Sequence, residues 1–92
     1  MFQWIVGVKD TYGFLDNTAL LAIKLFDKFV SKNSLVQEEM HPLIAMTCLG
    51  LSVKIYEKCI LDFEQCIQLC QRDFGYEYQT EMFVQAEFQI FK

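Results

Sequence analysis

Apolar residues recur along this chain at helical rather than strand spacing, and turn signals divide them into five helix-sized blocks. In the first, about residues 1–12, Met1, Trp4, Ile5, Val8 and Tyr12 fall at i, i+3, i+4, i+7 and i+11 and form one apolar face. Gly13 ends it, and Asp16, Asn17 and Thr18 offer caps for the next block. That second helix, about 18–31, is apolar except at Lys24, Asp27, Lys28 and Ser31, so it carries a narrow polar stripe. Ser31, Asn33 and Ser34 mark a loop. The third begins near Glu38 or Glu39, where acidic residues suit a helix N-terminus, and it tolerates Pro42 in its first turn. From Leu43 to Val53 it is apolar nearly all round, the pattern of a central helix wrapped by others. The fourth, about 62–73, places Phe63, Cys66, Ile67, Cys70 and Phe74 on one face, with Asp62 as its cap and Gly75 as its breaker. In the fifth, about 79–91, Met82, Phe83, Val84, Ala86, Phe88, Ile90 and Phe91 cover roughly 240° of the circumference at 100° per residue. One side of it packs on the core and the other is expected to meet something else.

Three charges interrupt these apolar patterns: Asp27, Lys54 and Glu87. A charge taken out of water is costly unless it is paired. Glu87 lies near the middle of the fifth apolar arc and needs a cation; Lys54 is the best candidate, sharing a face with Leu43, Thr47 and Gly50. Such a pair at the edge of an apolar surface would orient a partner. The plainer alternative is that Lys54 reaches solvent from its helix end and Glu87 lies on a rim. Asp27 has a plain alternative too, a weak surface pair with Lys24 three residues earlier.

Composition narrows the function classes. The 92 residues make one domain, and a chain of this size is marginal in isolation. Yet 53% of it is hydrophobic, including nine Phe, four Tyr and one Trp, which is more than one small core needs. The surplus predicts oligomerisation, dye binding or coverage by a partner. A net charge of −4 with a single arginine, Arg72, excludes the phosphate-neutralising surface that nucleic-acid binding requires. The eleven-residue run Leu43–Val53 is too short to span a membrane, which takes about 20 residues. Cys48, Cys59, Cys66 and Cys70 read as free thiols of an intracellular protein, because no basic, apolar leader opens the chain. His41, the one histidine, precedes Pro42 at a helix start and reads as a capping or surface residue. One histidine supports neither a hydrolytic triad nor a zinc site, and no phosphate-cradling glycine loop occurs. The expectation is a protein without catalytic residues, metal, cofactor or small-molecule substrate.

Leu25–Phe26–Asp27–Lys28–Phe29 resembles the Tyr-Ile-Asp-Arg-Phe motif of the cyclin box. Leu43 through Lys54 resembles that family's central helix, and Leu51–Ser52–Val53–Lys54–Ile55–Tyr56–Glu57 its Ala-Ser-Lys-Tyr-Glu-Glu-like end. Trp4 and Tyr12 resemble the first helix of the box, Asp62–Phe63 the start of the fourth, and Ala86–Glu87 followed by Ile90–Phe91–Lys92 the fifth. The resemblance runs in order along nearly the whole chain. It implies an all-α, compact five-helix cyclin-box bundle around the central apolar helix, about 39–57. It also implies docking on a cyclin-dependent protein kinase, with Lys54 and Glu87 meeting the kinase's regulatory helix. Glu57, Phe88 and Phe91 join them as partner-binding candidates, and Leu43 and Trp4 match family core positions.

The departures are specific. The family arginine that pairs with the position of Asp27 falls before Met1, so the single domain, residues 1–92, is expected to lack the start of its first helix and any second box. Gly7 and Pro42 stand where the family's substrate-docking patch has other residues, and the stretch between Phe63 and Glu87 is longer than usual. The alternative function is therefore a structural subunit that uses the cyclin fold as a packing module in a larger assembly. Nuclear, cytoplasmic and cytoskeletal placement are equally compatible with either function.

Overall fold

The computed structural model describes residues 2–32, 38–57 and 62–91, and in them the chain forms five α-helices and a 3-10 turn. The helices are α1 (Phe2–Tyr12), α2 (Asp16–Lys32), α3 (His41–Tyr56), α4 (Phe63–Phe74) and α5 (Thr80–Phe91); the 3-10 turn, Glu38–Met40, leads into α3. No strand occurs among the described residues. The five helical periods seen in the sequence thus become five helices, with boundaries shifted by a few residues. The largest shift is at α3, where the acidic pair expected to open the helix forms the 3-10 turn, and Pro42 occupies the first α-helical turn. Proline suits that position because its missing N–H has no acceptor there.

Helix α3 is the axis of the bundle. Every residue from Pro42 to Leu49 is buried, and Leu51, Ser52 and Val53 extend the buried stretch. Its two hydroxyl side chains in this stretch bond back to the preceding turn: Thr47 donates to the Leu43 carbonyl at 2.8 Å and Ser52 to the Cys48 carbonyl at 2.9 Å. Burial therefore leaves neither hydroxyl unsatisfied. Around it α2 presents Ala19, Ala22 and Phe26, α1 presents Ile5 and Val8, α4 presents Cys66, Leu69 and Cys70, and α5 presents Phe83 and Ala86. The small residues of α2 let that helix lie close against α3.

The connections are held by specific polar contacts. Gly13 and Gly75 carry φ of 72° and 75°, the left-handed conformation that glycine adopts without strain, and end α1 and α4. Asp62 caps α4 as expected: its side chain accepts from Gln65 N at 2.8 Å while Gln65 returns a contact to Asp62 N, a reciprocal box. Tyr78, buried between α4 and α5, donates its hydroxyl to the Glu39 carbonyl and ties this connection to the turn before α3. Trp4 packs on Phe74 with ring centroids 5.1 Å apart and donates its indole N–H to Asp73 Oδ2 at 2.7 Å, which joins α1 to the end of α4.

Three local expectations are corrected. His41 makes no capping hydrogen bond among the described residues; it is half-buried and meets Phe26 edge-on, with centroids 5.8 Å apart. At the start of α2, a carboxylate from the far end of α3 accepts from Leu15 N and from the hydroxyl of Thr18, one of the expected cap residues. Asp27 is exposed on the polar stripe of α2, and among the described residues no hydrogen bond or ion pair engages it, including with Lys24. Of the cysteines, Cys48, Cys66 and Cys70 are buried and free; Cys59 lies outside the described residues.

Candidate functional site: a charged rim over an apolar cleft

The last turn of α3 emerges from the core, and its charged residues go to opposite sides. Lys54 projects toward α5, where Nζ lies 3.1 Å from Glu87 Oε1. The lysine side chain is 45% exposed and the glutamate 25%. The two charges singled out in the sequence, 33 positions apart, therefore meet. In the free protein such a half-solvated pair contributes about 0–1 kcal/mol to stability. Its consequence is positional: each charge fixes the direction of the other.

Beside the pair lies a cleft of about 230 Å³ between α3, α4 and α5. Met46, Phe63, Cys66 and Phe83 supply apolar surface, and Thr47 and Gly50 form the α3 wall. Lys54 and Glu87 stand at its rim with Asp62, the cap of α4. Phe63 and Phe83 stack across it with centroids 6.2 Å apart, so the aromatic surface is held in place. The one thiol in the floor is held protonated near neutral pH. Burial pushes the Cys66 thiol up to about 12, the nearby negative charges of Asp62 and Glu87 push the same way, and Lys54 opposes them. The cleft thus combines an apolar floor with two opposite charges held at its rim.

Glu57, three residues beyond Lys54, is used differently from the partner-facing reading of the sequence. Its Oε2 accepts from Leu15 N at 2.8 Å and from the Thr18 hydroxyl. It thereby satisfies donors at the N-terminus of α2 and places negative charge at the positive end of that helix. This contact spans 42 residues of sequence, and no local pattern announced it. The only sequence signal was negative: an acidic residue at a helix C-terminus, where the macrodipole disfavours it.

The apolar candidates divide. Leu43 is 1% exposed and belongs to the core, while Trp4 is half-buried at the α1–α4 junction. Phe88 is 73% exposed on the outer side of α5, with Val84 one turn before it also exposed. The side chain of Phe91 lies outside the described residues. Among the described residues, no helix is long and apolar enough to cross a membrane.

Comparison with known proteins adds a family. The model of the cyclin N-terminal domain matches residues 1–92. The chain is 39% identical over 67 residues to Cyclin-D3-3 of Arabidopsis thaliana, covering 67% of this chain and 19% of that protein. It is 30% identical over 90 residues to Cyclin-D2-1 of Oryza sativa subsp. japonica, covering 96% of this chain and 28% of that protein. The chain thus spans between about a fifth and a third of the length of these curated relatives. No solved structure matches it significantly.

Proposed function

This chain belongs to the cyclin family through its N-terminal domain, and from that premise we propose that it is a non-catalytic regulatory module that docks on a cyclin-dependent protein kinase. The docking surface is the cleft between α3, α4 and α5, and the observation that carries this reading is the Lys54–Glu87 pair at its rim, 3.1 Å apart. The two charges, set in an otherwise apolar face, orient the regulatory helix of the kinase, whose apolar residue enters the cleft. Binding of this kind acts by population shift: the module binds the active arrangement of the kinase helix better than the inactive one and raises its share.

The test is a binding series with purified chain and recombinant cyclin-dependent kinase, using Lys54→Glu and Glu87→Lys. Either reversal leaves a desolvated charge facing an unmatched neighbour, a loss of about 2–5 kcal/mol in such interfaces, with helicity retained. Reversals that bind as well as the parent would sink the docking surface.

A second reading has an observation of its own. Phe88 is 73% exposed on the outer side of α5, beside the exposed Val84. In a structural subunit that aromatic would anchor the assembly, and Phe88→Ala would then weaken association more than either charge reversal.

A further inference from the structure

The described lysine and arginine side chains divide by place in the fold. Lys9 meets Asp10 and Asp16, Lys54 meets Glu87, and Arg72 meets Asp73. Lys24, Lys28 and Lys32 meet no acid among the described residues, and all three are exposed on α2. Of the chain's acids, only Glu38 has its side chain outside the described residues. One carboxylate cannot serve three cations spread over about 12 Å of helix, at 1.5 Å per residue. The lysines stand one turn apart, with Leu20 one turn before them. Each step of four residues advances by about 40°, so the four share one face. Leu20 is 53% exposed. Since α2 packs on α3 and α1 through Ala19, Ala22 and Phe26, this face is the one those helices leave uncovered. Helix stability does not account for the stripe. Only Lys32 lies in the last turn, where the macrodipole favours a cation, and like charges one turn apart repel.

We propose that this outer face of α2 is a docking surface for an acidic segment of a partner protein. Carboxylates on that segment face Lys24, Lys28 and Lys32, and an apolar residue beyond the first of them covers Leu20. Charge complementarity selects this occupant. Nucleic acid does not suit the face, because its affinity grows with the number of phosphates neutralised and three cations neutralise few. An anionic membrane does not suit it either: a net charge of −4 is repelled by an extended anionic surface, and Asp27 is exposed beside Lys28. A short acidic segment meets the stripe and little else. The surface does not rest on the kinase-docking function, because the cleft lies on the other flank of α3. With both filled, the chain would hold a kinase on one flank and an acidic partner on the other.

The experiment titrates the full chain with two labelled synthetic peptides of the same composition, read by fluorescence anisotropy. One is an amphipathic helix with glutamates at three successive i, i+4 positions and a leucine one turn from the first; the other carries the same residues in scrambled order. The ordered peptide binds and the scrambled one binds several-fold more weakly. Lys24→Gln, Lys28→Gln and Lys32→Gln each weaken the ordered peptide about two- to fivefold, the worth of one exposed ion pair. Leu20→Ala weakens it about three- to tenfold through lost apolar contact. Raising salt from about 0.05 M to about 0.5 M weakens it further. All four positions are exposed, so circular dichroism and the melting temperature stay close to those of the parent. Arg72→Gln is the control, since it removes one exposed cation from α4, away from this face, and leaves binding unchanged. Equal binding of the scrambled peptide, or an equal loss in Arg72→Gln, would reduce the effect to unspecific attraction and overturn the surface. No binding at up to about 1 mM peptide would overturn it outright. Tighter binding to vesicles containing phosphatidylserine, or to single-stranded DNA, than to the ordered peptide would overturn the choice of occupant. No kinase enters the assay, so each of these failures leaves the kinase-docking function standing.

Discussion

The two flanks of α3 are finished in opposite ways. Toward α2 the interface is closed: Ala19, Ala22 and Phe26 fit against the helix, and Glu57 ties its last turn to Leu15 N and Thr18. Toward α4 and α5 the same helix leaves a cleft, and its charge is paired at the rim with half of its surface still wet. Lys54 and Glu57 are three residues apart, yet one is committed to the fold and the other is available to a partner. A charged residue near a helix end is therefore not readable as interface or scaffold by position alone. What decides is whether a helix N-terminus, with its unsatisfied donors, lies within reach.

Breaking the core beneath the open flank gives the largest effect. Phe83 is 1% exposed and contacts both the aromatic floor of the cleft and Tyr78. Phe83→Ala should lower stability by about 3–5 kcal/mol, measured by urea unfolding. Binding should fall with it, since the floor is lost.

Next comes the separation of the flanks. Lys54→Glu should cost about 2–5 kcal/mol of kinase affinity and, because the free pair is weak, at most about 1 kcal/mol of stability. Glu57→Gln should do the reverse. It leaves the geometry of the α2 cap but removes its charge, costing about 1 kcal/mol in thermal unfolding with kinase affinity nearly unchanged. Equal effects of the two variants on both measurements would erase the distinction between a closed and an open flank.

Alkaline pH should weaken the core on both sides. Burial pushes the thiols of Cys48, Cys66 and Cys70 up to about 12, and the Tyr78 hydroxyl likewise. These acids hold their protons longer when folded than when unfolded. Their contribution to stability is complete below about pH 9, where the unfolded thiols begin to ionise, and is lost as pH rises toward 12. Unfolding midpoints measured from pH 7 to pH 10.5 should therefore decline above pH 9. In a Cys59→Ser background, alkylation of native protein at pH 8 should also be slow compared with the unfolded chain.

The smallest effect expected is at Asp27. It is exposed and unengaged among the described residues, so Asp27→Asn should change stability by no more than about 0.5 kcal/mol in the chain as it stands. A larger loss by calorimetry would show that the polar stripe of α2 holds the fold.

Helix number, order and the central position of α3 were legible in the sequence because they follow from periodicity and turn chemistry. The run from Leu43 to Val53 could be soluble only if wrapped. Asp62 with Gln65, and Gly75 after Phe74, carry local signals whose partners lie within a turn. The Lys54–Glu87 pair was legible for a different reason: each charge interrupted an apolar face, and burial cost makes such interruptions look for each other. Asp27 interrupted a face by the same rule and proved to be solvated, because the stripe it shares with Lys24 and Lys28 points outward. His41 looked local and became a ring contact of Phe26, since α2 and α3 approach closely at small residues.

By itself, then, the sequence determined which residues are helical, which helix is central and which charges sit on otherwise apolar faces. These depend on neighbours within a few positions and on the free energy of burying side chains. Only the tertiary structure decided that Glu57 caps α2 and that Lys54 stops at the rim of a cleft. Each of these depends on how far apart two helices settle. That separation is set by the summed packing of many side chains, and no short stretch of the chain encodes it.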